Sequence, residues 1–346
     1  MKKILLIIFL STTYVGNSQL KDRNYYLDMP KALGYYYGVE VSLDNIIHKY
    51  PDLSKKAMVA KMNFEIAHKK SIENLEKLME SQMKLEKNEF KKKIANEVKL
   101  KFDLTSFSHA DASYFLNNFE NERIKGNHDL YKEFVAILLR HNPLYVADPV
   151  LEFRLNYKNR FETDNHPKSK GLNLSLEYPK SWSSQEGKRP NIITMLRSFD
   201  GACGITILVK DIIQEIVKDK NKLSKSDLDN IKTNEFSNEI AKEMMTEKYA
   251  RQYVSELGLE NISDFSFKKT KLEGQPTMIV RISGDINRAL VNSRMHLIHY
   301  IVIYQNYIII IGSSISDDVN GLTHAIEKYG LLSEMIMNSL IIKNKW

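Results

Sequence analysis

The chain has 346 residues, 27% charged and 43% hydrophobic, which excludes a disordered polymer and gives room for two domains. Its formal charge of +7 falls to +5 (7 − 2) without Lys2 and Lys3, and neither half carries a concentrated basic block, which argues against a nucleic-acid partner. A single cysteine, Cys203, excludes an internal disulfide, so packing must supply the stability.

The start, MKKILLIIFLSTTYVGNSQ, places Lys2 and Lys3 before an apolar run from Ile4 to Leu10, with Gly16 and Ser18 as small residues ahead of Gln19. That is the layout of a cleavable secretory signal over residues 1–18, cut after Ser18. The apolar run is far shorter than the roughly 20 residues that span a bilayer. No cysteine lies near the cut to carry a lipid. A secreted or periplasmic protein is expected, with no membrane span in the mature chain.

Between Gly38 and Gly126 there is no glycine and Pro51 is the only proline, so helix is expected throughout. SLDNIIHKYP reads as a short helix capped by Ser42 and halted by Pro51. Residues 54–101 read as one long helix or two joined helices. There Met58, Met62, Ile66, Ile72, Leu75, Leu78, Met79, Met83 and Leu85 recur mostly at threes and fours as an amphipathic stripe, and the methionines read as core filler. Lys91, Lys92 and Lys93 belong to a helix studded with Glu86, Glu89 and Glu97 and read as a solvated face. Further helices are expected over 110–125 and 128–141, completing a helical domain over 19–156.

Residues 157–170 are polar and punctuated by Pro167, and are read as a linker. Beyond them the period changes to 2. Leu172, Leu174, Leu176 and Tyr178 alternate with polar residues as a half-buried strand, which Pro179 ends. Trp182 is then expected to fold back as an apolar plug. NIITMLRSF and GITILVKDI form a hairpin turning at Asp200-Gly201. A capping box at Ser224 opens a helix running to about Glu256. Strands follow in ISDFSFKKTKL, PTMIVRISGDI and RMHLIHYIVIYQNYIIIIGSS, the last turning at Gln305-Asn306, before a helix over 320–340. The arms IVIY and YIIII are apolar at successive positions, so both faces of the sheet must be covered. The fold class expected is α+β: an N-terminal all-α domain, then an α/β/α sandwich with a mostly antiparallel sheet over 171–346.

A strand ending in Tyr-Pro-x-x-Trp, a hairpin, a helix, a Gly-x-Pro step (Gly274, Gln275, Pro276) and paired long strands before a last helix resemble the PsbP-like domain. The resemblance covers about residues 170–346 and rests on structural motifs that carry no chemistry. That family includes the extrinsic photosystem II protein, a Ran-binding nuclear-transport protein and bacterial envelope proteins. The resemblance implies a sandwich that is usually non-catalytic and binds or assembles with other proteins, with no active-site residues to carry over.

Candidate chemistry is sparse. His296 and His299 are three apart on a strand and so point to opposite faces. His109 and Asp111 read as part of a helix cap. Ser81 and Lys84 match Ser-x-x-Lys but lack the companion motifs of penicillin-binding enzymes. Asp317 and Asp318 precede the last helix, where carboxylates suit its positive end. Cys203 has no histidine near it in sequence and reads as an inert small residue. No catalytic, cofactor-binding or metal residue is therefore assigned, and no cofactor is expected. The leading expectation is an exported, non-catalytic envelope protein that binds an unknown protein partner or acts in assembly. Its rivals are an exported hydrolase assembled from distant residues and a carrier of a small apolar ligand.

Overall fold

A computed structural model describes residues 24–83, 86–104, 108–125, 129–211, 226, 229–230, 233–288, 291–317 and 321–345. The signal expected over 1–18 and the cap expected at Ser224 lie outside these residues, as do Lys84, Leu85 and Asp318. The chain divides into two compact units, one spanning Lys21–Ala147 and the other holding Asp148–Trp346.

In the first unit, α1 (Asn24–Lys49), α2 (Pro51–Met83), α3 (Lys87–Leu104), α4 (His109–Lys125), α5 (Asp129–Arg140) and the short α6 (Pro143–Ala147) follow one another. Ser42 does not cap a helix; its Oγ donates to the Gly38 carbonyl at 2.7 Å inside α1, a back-bond that hides the residue within the helix. The core joins Leu33, Tyr37, Leu43 and Ile46 of α1 to Ala57, Ala60, Phe64, Ile72, Leu75 and Met79 of α2. Leu116 and Phe119 of α4 and Phe134 and Ile137 of α5 complete it. Phe64 sits at its centre, 5.2 Å from the Tyr36 ring and 5.3 Å from that of Phe119. Inside this core Glu76 accepts from the Tyr37 hydroxyl and from Lys87 Nζ (2.5 Å), so one carboxylate clamps α1, α2 and α3.

The second unit opens with α7 (Pro149–Arg154) and β1 (Lys158–Glu162), followed by β2 (Leu174–Pro179), β3 (Ser183–Glu186), β4 (Ile192–Arg197) and β5 (Cys203–Asp211). The helices α8 (Asn234–Met244) and α9 (Glu247–Ser255) come next. The long antiparallel strands β6 (Glu260–Leu272), β7 (Gln275–Arg288), β8 (Val291–Tyr304) and β9 (Tyr307–Asp317) then precede α10 (Leu322–Asn338) and β10 (Ile341–Ile342). Seven strands form one antiparallel sheet in the order β3-β4-β5-β9-β8-β7-β6, and β1-β2-β10 form a small second sheet.

Along β8, Ile298, Tyr300, Val302 and Tyr304 meet Ala325, Tyr329, Leu332 and Ile336 of α10 in one core. Leu297, Ile301 and Ile303 meet Met244 of α8 and Tyr253 and Val254 of α9 in another. The continuous apolar runs thus serve two cores, one on each face, and the unit is an α/β/α sandwich in an α+β chain.

The segment read as a linker, 157–170, is instead built into the sandwich. β1 pairs with β2 from Lys158↔Pro179 to Glu162↔Ser175. Lys158 and Arg160 satisfy Glu177 across that pair, at 3.0 and 3.2 Å, so the charges that suggested a solvated tether are a cross-strand set. Among the described residues the helix expected up to Glu256 is interrupted after Met244, and Thr246 caps the next one at Tyr249 N.

The corner LEYPKSW ends β2 at Pro179, as its missing N–H requires. Ser181 N and Oγ then donate to the buried carboxylate of Glu152 on α7, at 2.8 and 2.7 Å. That turns Trp182 inward, where it is 3% exposed and lies edge-on to Tyr329, ring centroids 6.3 Å apart. The tryptophan is a core residue under α10.

Candidate interaction surface

On α2 the residues that face the core are Ala57, Ala60, Phe64, Ile72, Leu75 and Met79. Met58, Met62 and Ile66 were expected among them, yet they are 55%, 54% and 75% exposed, and Val59 is 43% exposed. At 100° per residue their mean direction lies roughly 150° from the core face. Their i, i+4, i+8 spacing makes them neighbours of one another, not of the core. The difference has a physical cause: Ala57 and Ala60 carry little apolar signal in the sequence, yet both are buried in the helical core.

The result is an apolar strip about two turns long on α2. Lys55 stands at one end of it, and Lys69 and Lys70 at the other. All three are exposed, and none forms an ion pair among the described residues. Lys61 beside the strip is different: it is held by Asp44 at 2.6 Å and lies 3.9 Å from Glu65. Single exposed hydrophobic residues are ordinary, whereas here four lie side by side on one helix.

Among the described residues weighed for chemistry, no catalytic or metal-binding set is brought together. His296 Nδ1 is 3.0 Å from Ser283 Oγ, while His299 Nδ1 meets Tyr253 OH at 2.5 Å on the opposite face of the sheet. His109 Nε2 lies 2.6 Å from Asp52 Oδ2, and Asp111 accepts from Ser108 N and Oγ in a local cap. Ser81 donates to the Leu78 carbonyl. Asp317 ends β9. Lys91 pairs with Glu40 at 3.0 Å and covers the Tyr37 ring, so it is not part of a purely solvated face.

Cys203 is buried against Ser333 (3.3 Å) and Ser313 (3.9 Å), and burial pushes its thiol up to about 12. It is therefore a neutral thiol that no solvent-borne reactant meets. Asp200 accepts from Tyr329, Lys328, Ser198 and the Ala202 N–H. Burial alone would raise its pKa, but the bonds from Tyr329, Lys328 and Ser198 outweigh burial and hold the carboxyl below its usual range. Among the described residues no three His, Cys, Asp or Glu side chains are grouped to hold a metal ion, and no helix is long and apolar enough to cross a membrane.

No protein-family model matches the chain, and no curated protein matches it. Among solved structures it is similar to the cyanobacterial PsbP (CyanoP) of Synechocystis sp. PCC 6803, with 11% identity and a TM-score of 0.32 over 54% of this chain and 92% of that one. It is also similar to PA94 of Pseudomonas aeruginosa, a protein of unknown function described as a putative regulator, with 8% identity and a TM-score of 0.24 over 54% of this chain and 96% of that one. Both are weak structural similarities.

Proposed function

We propose that the protein is an exported, non-catalytic binding or assembly module that engages a protein partner through the exposed strip of α2. The observation that carries this reading is the exposure of Met58, Val59, Met62 and Ile66 side by side on one helix. Methionine suits such a surface, because its flexible thioether adapts to a partner's shape. A catalytic role is disfavoured by where the perturbed groups sit: Cys203, His299 and Tyr329 are each at most 1% exposed and face structural partners. Export rests on the first 18 residues, whose basic start and short apolar run are those of a secretory signal.

The test is photo-crosslinking in the producing cell with benzoylphenylalanine at Met62 and, as control, at the exposed Tyr114 of α4. A discrete protein adduct at Met62 that is absent at Tyr114 supports the proposal, and its loss in an Ile66→Glu background ties it to the strip. No adduct at Met62 in any fraction overturns the binding role. Mass spectrometry of the native protein tests export in parallel, with an N-terminus at Gln19 expected and a cytoplasmic chain retaining Met1 contradicting it.

A further inference from the structure

We infer that the strip on α2 receives an acidic amphipathic helix from the partner, with carboxylates at both ends of that helix's apolar face. The inference rests on the docking role proposed above and names the chemistry of what docks. Along this face from Lys55 to Lys70 there are four exposed apolar residues and three exposed lysines. Glu65, at the margin, is directed to Lys61, while Asp52, held by His109 at 2.6 Å, and Glu73 lie one turn beyond the lysines at either end. Between those acids the exposed lysines stand at the two ends of an apolar centre, and a complementary partner carries the reverse charge there.

Geometry fixes the spacing. Lys55 and Lys69 are 14 residues apart (69 − 55), which at 1.5 Å per residue is roughly 21 Å. A helix lying along α2 matches this with an acid in its first turn, an acid in its last turn about four turns later, and apolar residues at threes and fours between them.

A second copy of this chain fits poorly. Antiparallel pairing of two strips about Met62 sets Lys55 of one near Lys69 of the other, and parallel pairing sets like residues together; each brings like charges into contact. An anionic bilayer satisfies the lysines, but interfacial helices use a larger apolar face with Trp, Phe or Leu, and this one offers two methionines, a valine and an isoleucine. A strip this short suits a weak, reversible complex.

The experiment uses the full chain and two fluorescein-labelled 18-residue helical peptides sharing one Leu/Met face, one with Glu in the first and last turns and one with Lys. Anisotropy titrations at low salt are run on the parent, on Met62→Glu/Ile66→Glu, and on Lys55→Glu/Lys69→Glu/Lys70→Glu; circular dichroism confirms that the variants keep their helix. All substituted side chains are exposed, so folding is expected to survive. The Glu peptide should bind the parent at least tenfold more tightly than the Lys peptide, the lysine-reversed variant should invert that preference, and the apolar-face variant should bind neither.

Equal binding of both peptides, lost in Met62→Glu/Ile66→Glu, overturns the acidic partner while leaving the docking strip intact. Binding of neither peptide, or binding unaffected by the apolar-face variant, overturns both. Phosphatidylglycerol vesicles and sedimentation velocity are run alongside. Vesicle binding without Glu-peptide binding, or self-association lost in the apolar-face variant, also overturns the inference.

Discussion

The hydroxyl of Tyr329 donates to Oδ2 of Asp200 at 2.5 Å, joining α10 to the turn between β4 and β5 across the sandwich core. Lys328 Nζ reaches the same oxygen at 3.0 Å, while Ser198 Oγ and the Ala202 N–H occupy the other. Four donors on one carboxylate leave little of its charge uncompensated, so ionised Asp200 is a structural group.

Tyr329→Phe removes one donor without opening a cavity and should cost about 1.5–3 kcal/mol, the usual range for a hydrogen bond to a charged group. Asp200→Ala should cost more, because Tyr329 is left buried without its acceptor. The folded-state pKa of Asp200 is lowered, so its stabilisation is present above the unfolded-state value of about 4 and is lost as pH falls below it. Denaturant melts at pH 7 and pH 3 check this, since the gap between parent and Asp200→Asn should narrow at the lower pH.

His299 predicts acid sensitivity in a higher window. It is fully buried in the core under α9, and burial pushes its pKa down to about 4. The unfolded chain takes up that proton near pH 6.5 and the fold only near 4, so stability present above 6.5 is lost as pH falls between these values, by on the order of 3 kcal/mol. His141 at the end of α5 is shifted the same way, to about 4, but belongs to the helical unit. His296 on the same strand is also shifted down by burial, so His299→Leu should reduce the pH dependence of unfolding for the sheet unit without abolishing it. The slope between pH 6.5 and 4 is the measurement, because absolute stability also changes when Tyr253 loses its partner.

Trp182 should be among the most sensitive positions in the sandwich. It is 3% exposed against Tyr329, and Trp182→Ala removes a large aromatic from a closed core, at a cost of about 3–5 kcal/mol. Urea melts that overlay those of the parent would show that the corner is not packed as described.

The long strands and the two-sided sheet were legible because Ile, Val and Tyr at successive positions leave no polar face for water, as in β8 and β9. The Asp200-Gly201 and Gln305-Asn306 turns were legible from turn chemistry, and Gly201 and Gln305 do take positive φ. β1, β3 and β10 were not. KNRFE and SSQE are polar edge strands whose order comes from a neighbour's backbone, and β10 has two residues, too few for any period. The strip on α2 was read as core because an apolar i+4 recurrence looks the same whichever way it faces. Only the packing of Ala57, Ala60 and Phe64 against other helices decides the direction.

The sandwich begins at α7, and a fragment cut later should be unstable. A fragment starting at residue 171 omits α7 and β1, whereas one starting at Asp148 keeps them. Without α7 the core loses Val150 and Phe153, and Ser181 loses both bonds to Glu152. Without β1, one edge of β2 loses its partner at five positions, and Glu177 loses Lys158 and Arg160. Two buried apolar side chains are worth roughly 1.5–3 kcal/mol each, before the hydrogen bonds are counted. For a domain of ordinary stability, about 5–15 kcal/mol, that deficit is large. Residues 148–346 should therefore unfold in one cooperative transition, and residues 171–346 should melt at much lower denaturant or fail to fold. Limited proteolysis of the whole chain should likewise spare Arg160 and Lys168. Early cleavage there, with residues 148–156 released from a resistant core, would place the boundary back where the charged composition first suggested it.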